Sequence, residues 1–188
     1  CMMKNTRIAE TTFLFAVSIL YAFLVINRWI VTDLGQMSFG RIWQLYVNYF
    51  DFGFIRRGLI GTIFAMTHLP SLFANEYMFG FFIHHVAVLT LGTIIAVYVL
   101  RFGNNLSLLL KIAIFLSPAL IIHSGYTTGS LDVYVLIFAS LNMLFVRNPY
   151  VSAVLIFTGV LVHEASVFTV PAQLMALYIR NIGTETVD

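Results

Sequence analysis

Long apolar stretches separated by short polar segments make up most of the chain. Five of them approach the roughly 20 residues that an α-helix needs to cross a bilayer: residues 11–31, 77–100, 106–122, 126–146 and 149–170. Residues 172–179 follow Pro171 and are too short to cross alone, so they form either an interfacial helix or the start of a sixth span. The pattern predicts an all-α protein: a polytopic bundle of five to six transmembrane helices, with residues 1–188 as a single integral membrane domain.

The segment between the first two spans, residues 37–70, has a different pattern and is predicted to form juxtamembrane helices. Its apolar residues recur at the i, i+3, i+4 spacing of a helix: Phe39, Ile42, Trp43, Tyr46, Val47 and Phe50. Polar residues lie between them, so an amphipathic helix on the membrane surface explains both faces. The sequence Asp51-Phe52-Gly53 is predicted to end this helix, and residues 56–68 to form a second short helix before Pro70.

Composition strengthens the membrane interpretation and narrows the function classes. The chain is 60% hydrophobic and 10% charged, against roughly 25% charged in an average soluble domain, and its mean hydropathy is +0.93. These values argue against a water-soluble monomer. The net charge of +2 is spread over single residues, so no nucleic-acid-binding face is predicted. The only cysteine, Cys1, excludes a disulfide framework and a cysteine-based metal site.

The basic residues of the short loops predict the orientation. They fall on one side of the predicted spans, which is cytoplasmic by the positive-inside rule: Lys4, Arg7, Arg101, Lys111 and Arg147. The N-terminus is therefore predicted to be cytoplasmic, and residues 123–130, which contain no lysine or arginine, to lie outside. Residues 28–76 hold four arginines and would also lie outside. We accept that conflict, because the inverted topology would place the three other basic groups outside instead.

Ionisable side chains near spans need an explanation, because burying one in lipid is costly. Asp51 follows the surface helix, Asp132 opens the fourth span from its outer end, and Glu164 lies about 22 Å into the fifth span. All three acids are therefore predicted to lie near the outer leaflet. We expect them to line one outward-facing cavity together with Arg56, Arg57 and His163.

Two neighbouring arginines, Arg56 and Arg57, follow Asp51 closely. Guanidinium groups bind phosphate oxygens through two parallel hydrogen bonds, so the pair suits a phosphate or diphosphate. The alternative is that both residues anchor the segment to anionic headgroups. For Asp51 the alternative roles are to cap a helix or to pair with an arginine.

Adjacent His163 and Glu164 lie inside an apolar run. With Asp132 they form a candidate site for substrate or for a divalent metal ion, or a proton relay. The zincin motif is excluded, because Val167 stands where it needs a histidine. The alternatives are that the pair hydrogen-bonds to neighbouring helices and that Asp132 is a first-turn acid of its helix.

The loop that precedes Asp132 is rich in hydroxyl groups and glycine and includes His123 and Tyr126. This composition suits hydrogen bonding to a sugar or a phosphate, so both residues are candidates for a substrate loop. It equally suits a simple turn.

The string FDFGFIRRGLIG at residues 50–61, with GSLD at 129–132 and HE at 163–164, resembles membrane glycosyltransferases of the C superfamily. It is also similar to multi-spanning proteins of bacterial polysaccharide biosynthesis. The resemblance implies that Asp51 is the loop acid that acts as catalytic base. It further implies a polyprenyl-phosphate-linked sugar as substrate, membrane lipid as partner, and the bacterial inner membrane as location.

The function expected from these observations is glycosyl transfer from or to a polyprenyl-phosphate carrier at the outer face of the inner membrane. Asp51 would accept the proton of the acceptor hydroxyl, and Arg56 and Arg57 would stabilise the departing phosphate. Two alternatives remain open. One is a proton- or ion-coupled transporter or flippase subunit that uses Asp132, His163 and Glu164, and the other is a non-catalytic assembly subunit. Either one, like the enzyme, is compatible with an oligomer or with other membrane subunits.

Overall fold

A computed structural model describes residues 39–54, 57–102, 107–115, 130–145, 148–175 and 178. These residues form helices and no strand, which confirms the all-α prediction. Numbered in chain order, the helices are α1 (Phe39–Ile42), α2 (Tyr49–Phe52), α3 (Gly58–Thr67), α4 (Glu76–Phe102), α5 (Leu108–Phe115), α6 (Asp132–Phe145) and α7 (Pro149–Val162). Short 3-10 segments lie at Trp43–Leu45, Leu69–Leu72 and Glu164–Thr169. The predicted first span, residues 11–31, lies outside the described residues.

Helix α4 agrees with the second predicted span, residues 77–100. Within the described part of the chain it is the one helix long and apolar enough to cross a membrane, over Glu76–Val99 with a mean hydropathy of 1.9. Of the third predicted span, residues 106–122, the structure describes α5 and its flank. Helix α6 corresponds to the fourth predicted span, residues 126–146, but it begins at Asp132. Ser130 and Leu131, directly before it, are not helical.

Two apolar cores hold the described helices together. The first joins the second half of α4 to α6 through residues such as Leu91, Val99 and Val133. The second joins residues 39–54, here called the surface segment, and helix α3 to the other end of the bundle. In it, Leu45 and Ile60 pack with Phe79 of α4, with Leu131 in front of α6 and with Val162 at the end of α7. The surface segment therefore covers the end of the bundle at which α6 begins and α7 ends.

Phe79 is the centre of this second core. Its side chain is 0% exposed. The ring meets three others edge-on, with ring centroids 5.6 Å from Tyr46, 5.1 Å from Phe64 and 5.6 Å from Phe73. Each pair of this kind adds about 0.5–1.5 kcal/mol beyond the burial of apolar area. The contacts fix the surface segment and α3 against α4.

The surface segment is not the continuous amphipathic helix that was predicted through Phe50. The side-chain oxygen of Asn48 accepts hydrogen bonds from the backbone N–H groups of Phe50 and Asp51, both 2.9 Å long. An asparagine in this role begins a new helix, because its side chain satisfies N–H groups that the helix itself leaves open. The predicted break after Asp51 is confirmed: Gly53 ends α2 with φ 71°.

The chain turns at His163, where the prediction had a straight span over residues 149–170. Helix α7 ends at Val162, and His163 has the extended backbone angles φ −157° and ψ 129°. The Ser166 hydroxyl then donates a 2.7 Å hydrogen bond to the carbonyl oxygen of Gly159. In an uninterrupted helix, residues seven apart lie about 10 Å apart along the axis. The continuous fifth span is therefore wrong.

A buried polar network shows where the chain goes after this turn. The Asn142 amide of α6 donates to the Gln173 side-chain oxygen, and the Ser152 hydroxyl of α7 donates to the Asn142 side-chain oxygen. Residues 152 and 173 would lie about 31 Å apart in one straight helix. Because Asn142 contacts both, residues 164–175, here called the return segment, run back along α7. Helix α7 and the return segment form a helical hairpin.

Candidate functional site

An arginine–glutamate pair joins the start of α3 to the turn of this hairpin. Arg57 Nε lies 3.1 Å from Glu164 Oε2, and Arg57 Nη2 lies 2.6 Å from Glu164 Oε1. Arg57 precedes the first residue of α3 in the left-handed region, with φ 68°. Glu164 is the first residue after the turn at His163. Packing of α3 against α7 brings together two residues that are 107 positions apart in the chain.

Both members of the pair are charged at neutral pH. The Arg57 hydrogen bonds lower the pKa of Glu164 to about 2, against an opposing contribution from burial, and nearby His163 lowers it further. Conversely, the hydrogen bond to Glu164 raises the pKa of Arg57, and the charge of Asp132 adds to that effect. The two side chains are 36% and 38% exposed, so the pair lies at a surface and not in the core.

His163 lies between two carboxylates. Its Nδ1 is 3.7 Å from Glu164 Oε2, and its Nε2 is 4.0 Å from Asp132 Oδ1. Asp132 is oriented by Ser130, whose hydroxyl donates a 2.6 Å hydrogen bond to Oδ2. Arg57, Asp132, His163 and Glu164 therefore form one group, here called the polar cluster. These four residues lie close together, as expected, and the outward-facing cavity stays a prediction.

Asp51 lies on helix α2, which packs against α3. Its exposed carboxylate accepts a 2.7 Å hydrogen bond from the Asn48 side chain. Asn48 is therefore the helix cap, and Asp51 is a first-turn acid of α2 held by that cap. Of the remaining site predictions, Arg56, His123 and Tyr126 lie outside the described residues.

Helix α2, which carries Asp51, is packed on the first turn of α3. The Tyr49 backbone N–H donates a 2.8 Å hydrogen bond to the Thr62 hydroxyl, which in turn donates to the Gly58 carbonyl oxygen. A methyl group added at Gly58 would lie 2.3 Å from the Tyr49 ring. The ring thus covers the residue that directly follows Arg57. Tyr49, two residues before Asp51, therefore packs on Gly58, the residue that follows Arg57.

A divalent cation fits the polar cluster poorly as the side chains are arranged. Both Glu164 oxygens accept hydrogen bonds from Arg57, whose positive charge would repel a metal ion. Among the residues that the structure describes, no group of three or more His, Cys, Asp or Glu side chains is placed to hold one. We therefore derive no chemical step through a metal ion.

The network around Asn142 was missed at the sequence level. Asn142 is 0%, Ser152 3% and Gln173 7% exposed, and Gln173 Nε2 also donates to the Thr169 hydroxyl over 2.7 Å. The available signal was the presence of polar residues within three apolar runs. Such residues hydrogen-bond to one another where no water is present, but the sequence does not say which ones pair.

No protein-family model, no curated protein and no solved structure matches this chain.

Proposed function

We propose that this chain is an integral membrane protein that transfers a glycosyl group between a polyprenyl-phosphate carrier and an acceptor. The transfer takes place at the outer face of a bacterial inner membrane, and Arg57 binds the carrier phosphate. One observation carries the proposal: a half-exposed guanidinium already holds an oxyanion through two hydrogen bonds. The pair uses two of the five N–H groups of an arginine, and a phosphate fits the same geometry.

Membrane insertion is supported by the surface of the helices. Helix α4 is long enough to span, and large apolar side chains are exposed along it, among them Phe82 (50%) and Leu89 (54%). On α7, Val154 and Phe157 are more than 60% exposed. Side chains of this kind favour contact with lipid. A polytopic bundle with a cytoplasmic N-terminus remains part of the proposal, and the hairpin of α7 and the return segment takes the place of the fifth predicted span.

The hairpin of α7 and the return segment fits a re-entrant element. Helix α7 has 14 residues, which rise about 21 Å and fall short of a hydrocarbon core of roughly 30 Å. Non-helical backbone at membrane depth is tolerated where it is packed in protein or lines a polar cavity. His163 is the non-helical residue of the turn, and its side chain is 13% exposed, so it is packed in protein.

The surface segment supports the placement of a lipid phosphate near Arg57. Four of its aromatic side chains are exposed: Trp43 (45%), Phe50 (69%), Phe52 (51%) and Phe54 (84%). Aromatic residues are enriched where the hydrocarbon meets the headgroups. A lipid phosphate lies at the same depth, and Arg57 is three residues from Phe54. The carrier phosphate can therefore reach the guanidinium while its chain stays in lipid.

The proposed reaction uses the residues as follows. The Asp51 carboxylate takes the proton of the acceptor hydroxyl while the acceptor oxygen bonds to the anomeric carbon of the donor sugar. The bond between that carbon and the phosphate oxygen breaks, and its electron pair stays on the phosphate. Arg57, with Arg56 beside it in the chain, stabilises the resulting charge. Asp132 and His163 hydrogen-bond to sugar hydroxyls.

A second candidate is a proton-coupled transporter. The observation that favours it is His163, whose two ring nitrogens lie 3.7 and 4.0 Å from two carboxylates, an arrangement suited to relaying a proton. In that mechanism Glu164 is essential and Asp51, on the surface segment, is not.

The test compares Asp51→Asn and Glu164→Gln in membranes that carry each variant at matched abundance. The measurement is incorporation of sugar into outer-leaflet glycan. We expect Asp51→Asn to lower transfer by about 10²-fold, because the base is lost while shape is kept, and Glu164→Gln to retain transfer. Near-normal product with Asp51→Asn, beside complete loss with Glu164→Gln, would reject the transferase in favour of the transporter. No effect of either change would point to a non-catalytic subunit.

A further inference from the structure

Asn48 makes more hydrogen bonds than a helix cap requires. Its side-chain oxygen accepts from the backbone N–H groups of Phe50 and Asp51, which is the capping role. Its Nδ2 group donates two further hydrogen bonds, one of 3.1 Å to the Tyr46 carbonyl oxygen and one of 2.7 Å to Asp51 Oδ2. An amide has two donor hydrogens and one acceptor oxygen with two lone pairs. The Asn48 side chain, which is 6% exposed, is therefore fully used.

The capping role alone does not explain why this residue is asparagine. Aspartate and serine begin helices about as well. An ionised aspartate has no donor hydrogen, however, and a serine hydroxyl has one. Among the preferred cap residues, only asparagine can cap a helix and donate to two acceptors at once. The residue type at position 48 therefore fits the contact with Asp51 as well as the start of α2.

A second asparagine cap in the chain provides a comparison. Asn148 begins α7, and its side-chain oxygen accepts from the backbone N–H groups of Tyr150 and Val151 over 3.0 and 3.2 Å. Val151 stands three residues after this cap, where Asp51 stands after Asn48. Asn148 is exposed, whereas Asn48 is buried. The two residues share the capping role, and the contact with an acid distinguishes Asn48.

Two contacts with Asn48 fix Asp51 at both its backbone and its side chain. The Asp51 backbone N–H donates to the Asn48 side-chain oxygen, and the Asp51 carboxylate accepts from Asn48 Nδ2. Asp51 is exposed, and without such a contact an exposed carboxylate can change rotamer. A general base must lie within hydrogen-bond reach of the proton that it takes, and a misplacement of about 1 Å can lower a rate about 10²-fold. A carboxylate that is fixed through one oxygen can still accept a proton at the other.

We propose that Asn48 is a positioning residue, which holds the Asp51 carboxylate in place for proton transfer in addition to capping α2. The inference rests on the proposed function, in which Asp51 is the catalytic base. Because Asn48 acts through Asp51, its contribution to transfer exists only while that base is present.

The test is a double-mutant cycle on the full chain in membranes that carry each variant at matched abundance. The measurement is incorporation of sugar into outer-leaflet glycan. Asn48→Ser and Asn48→Asp are each made in the wild type and in the Asp51→Asn background. Both keep an oxygen that can cap α2, but the serine hydroxyl takes the capping position and aspartate has no donor hydrogen. Asn48→Asp also keeps the size of the side chain, so it carries the test if the serine variant does not fold.

We expect Asn48→Ser and Asn48→Asp to lower transfer by about tenfold in the wild type, the effect of losing one hydrogen bond to a charged group. In the Asp51→Asn background the same changes should lower transfer by less than about twofold, because the base that Asn48 positions is already absent. Asn148→Ser is the matched control, since it changes the same kind of cap at a helix without an acid at the corresponding position. It should leave transfer unchanged.

Four outcomes would contradict this account. Wild-type transfer in both Asn48 variants, with Asp51→Asn lowered about 10²-fold, rejects the positioning role and leaves the proposed function standing. Loss by the same factor in both backgrounds also rejects it, because a purely structural role does not depend on Asp51. An equal loss in Asn148→Ser rejects it as well, since weakening of any cap would then suffice. Unchanged transfer in Asp51→Asn rejects the base itself, and with it both the proposed function and the inference.

Discussion

Helix α3 packs closely on the surface segment at Gly61, and Gly61→Ala tests this packing. A methyl group at this position would lie 2.1 Å from the carbonyl oxygen of Val47 and 2.7 Å from its carbonyl carbon. These are backbone atoms, so no side-chain rotation relieves the clash. Helix α3 must move away from the segment that holds α2, and Arg57 at its start must move with it.

The magnitude follows from two opposing effects. Alanine is favoured over glycine inside a helix by up to about 1 kcal/mol. Overpacking a close contact costs about 1–3 kcal/mol and sometimes more, and a clash with fixed backbone belongs at the upper end. We therefore expect Gly61→Ala to lower the free energy of unfolding by about 2 kcal/mol.

The assay is reversible unfolding in mixed micelles, followed by helical circular dichroism. Gly159→Ala is the control, because its methyl group would lie 3.4 Å from the Ser166 hydroxyl, close to ordinary contact. That variant should match or exceed the stability of the wild type. Gly61→Ala with wild-type stability would show that α3 does not pack on Val47 as described.

Three further predictions concern single side chains. Arg57→Gln should raise the pKa of Glu164 from about 2 towards its ordinary value of 4.5. Because the pKa of Glu164 is lowered in the folded state, the wild type should lose up to about 1 kcal/mol in free energy of unfolding as pH falls from 4.5 towards 2. The variant should show no such loss when unfolding is measured as a function of pH. Phe79→Ala should cost about 3 kcal/mol or more in the same unfolding assay, whereas Phe82→Ala, at a half-exposed position, should change stability little. Asn142→Ala should cost about 1–3 kcal/mol, because it leaves buried polar partners unsatisfied; an unchanged midpoint would argue against the network.

Sequence reasoning predicted the features that depend on one long stretch of chain. Helix α4 was found within two residues at each end, because an apolar run of this length has few other structures available. The proximity of Asp132, His163 and Glu164 was also predicted, because the topology places the end of α7 beside the start of α6. Arg57 and Glu164 were each singled out for their chemistry, although their pairing was not predicted.

Features that depend on pairing between distant residues could not be predicted. The contact of Arg57 with Glu164 joins positions 107 apart, and nothing local in either sequence selects the other. The turn at His163 interrupts a run whose apolar pattern is that of a continuous span. Asn48 divides the surface segment because its side chain caps α2. The apolar residues keep a helical spacing on both sides of Asn48, so their pattern did not indicate this division.

The central claim is that Arg57 binds a lipid-linked phosphate, and an experimental structure of the full chain in a bilayer with added polyprenyl phosphate tests it most directly. The account predicts phosphate density within hydrogen-bonding distance of the Arg57 guanidinium, about 3 Å, with the Glu164 carboxylate moved towards His163. Phosphate density elsewhere on the protein, with Arg57 and Glu164 still paired, would contradict it.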